Sequence, residues 1–234
     1  MTTLPTARGS VEIDAFLEQL KSPASRSSVG SSGRLIIGID ATASRSPTWD
    51  AACAIQGEMF EATAGIGGIE IQLAYYRGYN ECRASRWVTT ARELHTLMRS
   101  VACSGGRSQI ARVLDHTIRE TQTRKVAALV FIGDAIEEPV DRLCHQAGEL
   151  GALGTPIFAL QEGRAGDVTE AFKQVARLSG GAHLAFDLAA IGVLKTLLAA
   201  IAVYTAGGLA ALEDYGRKQG GTVLQLTHQL RRDQ

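Results

Sequence analysis

The chain has 234 residues, 45% of them hydrophobic, and its 24 Lys plus Arg are balanced by 24 Asp plus Glu. That length supports a domain with a real core, and the even charge excludes a global pull toward nucleic acid or an anionic membrane. The four cysteines, Cys53, Cys82, Cys103 and Cys144, contain no Cys-x-x-Cys pair, and the N-terminus carries no apolar core region of the signal-peptide kind, so zinc is unsupported and the expected compartment is the cytoplasm, with reduced thiols.

Residues 1–33 read as an arm. Ser10 can cap a short helix with Ile13, Phe16, Leu17 and Leu20 on one side, and the Ser-, Gly- and Pro-rich stretch SPASRSSVGSSG follows as a flexible linker. The main domain is expected over residues 34–215. Its first element is the continuous apolar run 35–39, the pattern of a strand buried on both faces. A helical stretch follows from Pro47 and Thr48 to about Ala62, then a strand over 69–76. Leu94, Leu97, Met98 and Val101 share a helical stripe, as do Ile110, Val113, Leu114 and Ile118. Residues 126–132 form a second buried strand. Val140, Leu143, Cys144 and Ala147 mark a helix, and 155–160 a strand.

Asp167 with Glu170 three positions on resembles a capping box for a helix through Val175, which Gly180 and Gly181 end. Residues 182–186 form a short strand. The uncharged stretch TLLAAIAVYTAGGLAAL, 196–212, reaches only the lower edge of a membrane span, and Leu194, Leu197, Leu198 and Ile201 fall on one face. It is read as a buried amphipathic helix. Residues 216–234 form a tail in which 223–227 could add an edge strand. The alternation implies an α/β fold: a doubly wound, mainly parallel sheet with helices on both faces. In such sheets ligands sit beyond the carboxyl ends of the strands.

Charge is unevenly placed along the chain. Residues 77–125 hold ten basic and four acidic side chains, whereas 126–170 hold two basic and eight acidic ones. Two differently charged faces of one domain account for this.

At the end of the first buried strand the chain places Asp40, Thr42 and Ser44 at alternate positions. One carboxylate and two hydroxyls are hard oxygen donors, suited to Mg²⁺ or Mn²⁺ rather than zinc or copper. Two further segments can join them at one sheet edge: SGGRSQI, with Ser108 where a helix begins, and FIGDAIEE, with Asp134 after the second buried strand.

These residues resemble the metal-ion-dependent adhesion site (MIDAS) of von Willebrand factor A (VWA) domains, an Asp-x-Ser-x-Ser loop followed by a distant Thr and a later Asp. Asp40, Thr42 and Ser44 match the loop, with Thr in place of the first Ser. Ser108 matches the Thr, and Asp134 the last acid. The chain looks most like bacterial stand-alone VWA proteins, to which the stretch LAYYRGYNECRASRW is similar. Arg45 stands where an apolar residue is usual, Arg107 adjoins Ser108, and Gly133 replaces a common Thr.

The resemblance implies a Rossmann-like fold and a non-enzymatic protein-interaction module, with a chaperone- or ATPase-linked assembly as the setting that the bacterial family suggests. It implies that Asp40 orients the loop and acts through water. Thr42 and Ser44 would coordinate the metal, Ser108 would do so in one of two states, and Asp134 would mostly stand behind the directly bound oxygens. The sixth position would go to an acidic residue of a partner protein. Glu137 and Glu138 would add negative potential nearby. The alternative is a metal-independent scaffold, or an RNA-binding VWA protein using the basic 77–125 surface with Tyr75, Tyr76, Tyr79 and Trp87.

Catalytic readings find less in the residues. Cys144 and His145 are helix neighbours that point apart. The general-acid Asp that one phosphatase class needs two residues after the first is Thr42, and there is no Gly-rich Lys-Ser/Thr loop.

Overall fold

The computed structural model describes residues 33–187 and 191–232. The arm expected over residues 1–33 lies outside them but for Gly33, which opens the first strand.

Six strands form one sheet: β1 (Gly33–Asp40), β2 (Ile69–Arg77), β3 (Glu81–Ala84), β4 (Ala128–Gly133), β5 (Ile157–Glu162) and β6 (Ala182–Phe186), in the order β3-β2-β1-β4-β5-β6. All neighbours are parallel except β2 and β3. The short edge strand β3 was not foreseen. It is the return arm of a hairpin through Gly78, Tyr79 and Asn80, and pairs Arg77 with Glu81 and Ala74 with Ala84.

The helices are α1 (Ser46–Ile55), α2 (Gly57–Thr63), α3 (Ala91–Arg99), α4 (Ile110–Thr123), α5 (Val140–Ala152), α6 (Gly166–Leu178), α7 (Ile191–Gln219) and α8 (Gly221–Arg232). Alternate residues of each central strand go to opposite cores, as pleating demands. Leu35, Ile37, Ile39, Val130, Ile132, Phe158 and Leu160 pack with α7 and its neighbours. Ile36, Leu129, Phe131, Ile157 and Ala159 pack with α4, α5 and α6. This is the doubly wound α/β arrangement expected. Its order reverses between β1 and β4, so the crevice where such sheets bind ligands opens beside the ends of those two strands.

Three local expectations are corrected. The first concerns α6. Asp167 does not cap it: the N-cap is Ala165, with no side-chain capping bond, and Asp167 lies in the first turn. There its charge still faces the positive end of the helix, while Glu170 pairs with Lys173. The glycine stop holds, Gly181 N–H bonding back to the Ala176 carbonyl.

The second concerns residues 223–227, which form no edge strand. They lie in α8, where Val223, Leu226, Thr227 and Leu230 are buried at helical spacing. The tertiary contact with α7 and β6 chooses the helix, because only a period near 3.6 puts all four on one side.

The third concerns α7, which is more than amphipathic. Every residue from Leu197 to Val203 is buried, since the helix is covered by the sheet on one side and by α2 and α8 on others. A helix apolar all round fits such a slot. The stretch Gly192–Gln219 is long and apolar enough to cross a membrane, and 56% of its most apolar window is buried within this fold. α7 breaks at Gly208, whose φ of +71° and ψ of −167° lie outside helical space. A side chain there would be strained, so Gly permits the break.

Candidate functional site

The site begins where β1 ends. Asp40, 3% exposed, turns its Oδ1 to accept the Thr42 backbone N–H at 2.7 Å. That bond folds the loop back on itself and stands the Thr42 and Ser44 hydroxyls side by side, 3.4 Å apart. A 3-10 turn over Ala43–Arg45 follows, and α1 starts with Pro47 in its first turn. The three oxygen-bearing residues singled out in the sequence are therefore brought together.

The second segment is stitched to the first. Ser104 N–H bonds the Ala41 carbonyl at 3.0 Å. Gly106 packs against the β2–β3 turn so closely that a Cβ there would lie 2.0 Å from the Gly78 oxygen, which only glycine avoids. Arg107 N–H and the Gln109 side chain also bond to that turn. Ser108 is thus held at the start of α4, 8% exposed. Arg107 is exposed.

The third segment meets the second. Ser108 Oγ accepts the Glu137 N–H at 2.8 Å, and Ser108 N–H returns a bond of 2.8 Å to the Glu137 carboxylate. Glu138 accepts from Ile110 N–H at 2.5 Å and from Ala111 N–H at 3.1 Å. These glutamates cap α4, whose own N-cap residue supplies no side-chain bond, so their carboxylates are spent on backbone N–H groups while their charge stays beside the loop.

Asp134 is paired with a cation of the chain itself. Arg45 reaches it at 3.1 Å and Glu162 at 2.5 Å, and Thr48 donates to the same Glu162 oxygen. Arg45 is 13% exposed and its Nε is buried without a partner. The site thus contains its own cation, bridging two strand-end acids. Arg45 and Glu162 were missed as parts of the site. The signal was present for Glu162, which closes β5 as Asp40 closes β1. Arg45 stood out as a charge in an apolar position, but nothing local pointed to its partners, which lie 89 and 117 positions away.

Electrostatics follow from this arrangement. Burial, opposed by the Thr42 bonds and aided by the Asp134 charge, raises the Asp40 pKa. The Tyr76 hydroxyl lies close enough for each group to shift the other, but finds no partner in hydrogen-bond geometry. Burial foremost, then the Asp40 charge, pushes its pKa well up. A buried orphan hydroxyl beside a buried carboxylate leaves polar capacity unused.

The donor chemistry suits a hard divalent cation at the loop. Asp40 keeps a second oxygen, Thr42 and Ser44 offer adjacent hydroxyls, and the Ser108 oxygen accepts one bond and has a further lone pair. Asp134 is held by Arg45. Among the described residues no group of three or more His, Cys, Asp and Glu gathers as a metal cluster.

No protein-family model matches the chain, and no curated protein matches it. Solved structures do, and they define the class: the chain has the fold of VWA domains. The SpRpn10 VWA domain superimposes with a TM-score of 0.56 at 12% identity, over 70% of this chain and 95% of that one. An aerotolerance-related membrane protein from Bacteroides fragilis gives 0.55 at 13%, over 71% and 96%. Proximal thread matrix protein 1 from the mussel byssus, with a zinc-occupied MIDAS motif, gives 0.56 at 14%, over 74% and 48%.

Proposed function

We propose that this protein is a non-enzymatic interaction module that binds an acidic residue of a partner protein through Mg²⁺ or Mn²⁺ at the carboxyl edge of β1 and β4. The carrying observation is the loop geometry: Asp40 pinned by the Thr42 N–H, with the Thr42 and Ser44 hydroxyls 3.4 Å apart. Asp40, Thr42, Ser44 and Ser108 would hold the ion. Asp134 would stand behind them, in exchange with Arg45. When bound, the ion supplies an open coordination position for a carboxylate, a charge-assisted contact that favours acidic partners. The cysteine pattern supports a cytoplasmic setting, and the resemblance to bacterial VWA proteins a chaperone- or ATPase-linked assembly.

The test is calorimetry of the metal-free protein with Mg²⁺ and Mn²⁺ beside Asp40→Ala, followed by capture of partners with and without the ion. Saturable heat in the wild type and none in the variant is expected. Partner capture that survives both chelation and Asp40→Ala would overturn the reading.

Arg45 favours a second reading, a scaffold that binds without metal. Its guanidinium already sits between Asp134 and Glu162. That reading predicts no heat in either protein and capture unaffected by chelation.

A further inference from the structure

α4 uses one face for the core: Ile110, Val113, Leu114 and Ile118 are buried. The adjoining face carries Arg112, Asp115, His116 and Arg119, at the three- and four-residue spacing that stacks side chains in a row. Opposite this row, the β2–β3 hairpin offers three small side chains and Arg83. Ala74 and Ala84 are cross-strand partners, and Cys82 lies beside them. Long polar side chains above a floor of small residues leave a cavity of about 330 Å³ between α4 and the hairpin, with Arg83 also lining it. That volume lies in the range taken by small ligands.

The charges in the cleft are not mutually satisfied. Asp115, the one acid there, is engaged by Gln146 and Arg142 of α5. The His116 ring nitrogen bonds Gln72 at 2.8 Å, and burial lowers its pKa, so it adds no charge at neutral pH. Arg112 is steadied by the Asn80 carbonyl at 2.6 Å and the Gln109 side chain at 3.0 Å. The Arg119 guanidinium has no hydrogen-bond or ion-pair partner among the described residues, only its carbonyl being engaged, by the Thr123 hydroxyl. The cleft is thus a part of the basic 77–125 segment where arginines converge on a concavity.

We propose that this cleft binds a small multivalent oxyanion, a phosphate ester or a di- or tricarboxylate, gripped by Arg112 and Arg119 above the Cys82 floor. Guanidinium forks match both kinds of oxyanion with paired N–H donors. Single-stranded RNA fits less well, because no Phe, Tyr or Trp lines the cavity. Tyr76 is fully buried, Tyr75 packs edge-on to Trp49, and Trp87 lies beneath Arg34. That leaves Tyr79 as the exposed ring of the group, too few for a stacking platform.

The experiment titrates the metal-free 234-residue chain with pyrophosphate and with citrate at constant ionic strength, and with a single-stranded RNA oligonucleotide. Saturable binding of pyrophosphate or citrate is expected, weakened at least about tenfold in Arg119→Glu, as loss of a charge-assisted contact implies. Arg119 is exposed, so the variant should melt as the wild type does. Stronger pyrophosphate binding identifies a phosphate ligand, and stronger citrate binding a carboxylate. Location is read separately: the bound anion should slow iodoacetamide alkylation of Cys82, followed by peptide mass, and leave Cys53, Cys103 and Cys144 unchanged. The proposal is overturned by absence of saturable binding to both anions, by equal binding in Arg119→Glu, or by RNA as the sole binder with steep salt dependence.

Discussion

The edge around Asp40 and the cleft beside α4 use charge in opposite ways. At the edge, acids from three strand ends are gathered and one arginine holds two of them together. In the cleft, arginines are gathered and the one acid is drawn off by the next helix. Glu137 and Glu138 join the two regions, since they leave the acidic segment to cap the helix that carries the basic one. The opposite charges of neighbouring segments are therefore not simply two faces. They meet at the N-terminus of α4, where backbone N–H groups favour carboxylates.

Removing the internal cation should separate the two regions most. Arg45→Ala leaves Asp134 and Glu162 facing each other without a counterion. Breaking a fully buried pair costs about 3–5 kcal/mol, and the partial exposure of both acids places this loss toward the lower end. Chemical denaturation in chelator measures it. Mg²⁺ should then stabilise the variant more than the wild type, because Asp134 is released to the site. Equal stabilisation would mean that Arg45 and the ion do not compete.

Gly106→Ala attacks the seam between the loop and the hairpin. Its Cβ would fall 2.0 Å from a backbone oxygen, and overpacking of this kind costs about 1–3 kcal/mol. A melt no different from the wild type would place Gly106 away from the Gly78 turn. Glu138→Ala uncaps α4 and should cost about 0.5–2 kcal/mol, with faster amide exchange at Ile110 and Ala111 as its local signature.

The smallest effect concerns Asp40 itself. Its folded pKa is raised, with burial the foremost cause. The folded state therefore binds the proton more tightly than the unfolded chain does. Stability from this group is full below the unfolded value and declines as pH rises through the folded one. Asp40→Asn keeps an oxygen for the Thr42 N–H and removes the buried charge. In chelator at neutral pH it should melt slightly higher than the wild type and lose that decline, while losing Mg²⁺ binding. A lower melt without metal would show that the charge stabilises the loop.

Local pattern made much of this fold readable. Apolar runs at 35–39 and 126–132 mark strands buried on both sides, and β1 and β4 lie there. The alternation of Asp40, Thr42 and Ser44 is a short-range feature, and the bond from Thr42 N–H to Asp40 that organises it spans two residues. Residues 223–227 were misjudged because a five-residue run of Val, Leu and Thr around one Gln is compatible with a strand. The helical set Val223, Leu226, Thr227 and Leu230 becomes visible only over a longer window and against α7. Asp167 was misjudged because a capping spacing does not say which residue begins the helix.

By itself the sequence determined that buried parallel strands would deliver hydroxyls and carboxylates to one sheet edge, because strand burial and loop chemistry are set by neighbouring residues. What those acids meet depends on packing between distant segments. Arg45 reaches Asp134 and Glu162 because β1, β4 and β5 lie side by side, and the α4 cleft exists because an edge hairpin of small residues faces a row of long ones. Such pairings join positions far apart in the chain, and packing, not local propensity, selects them.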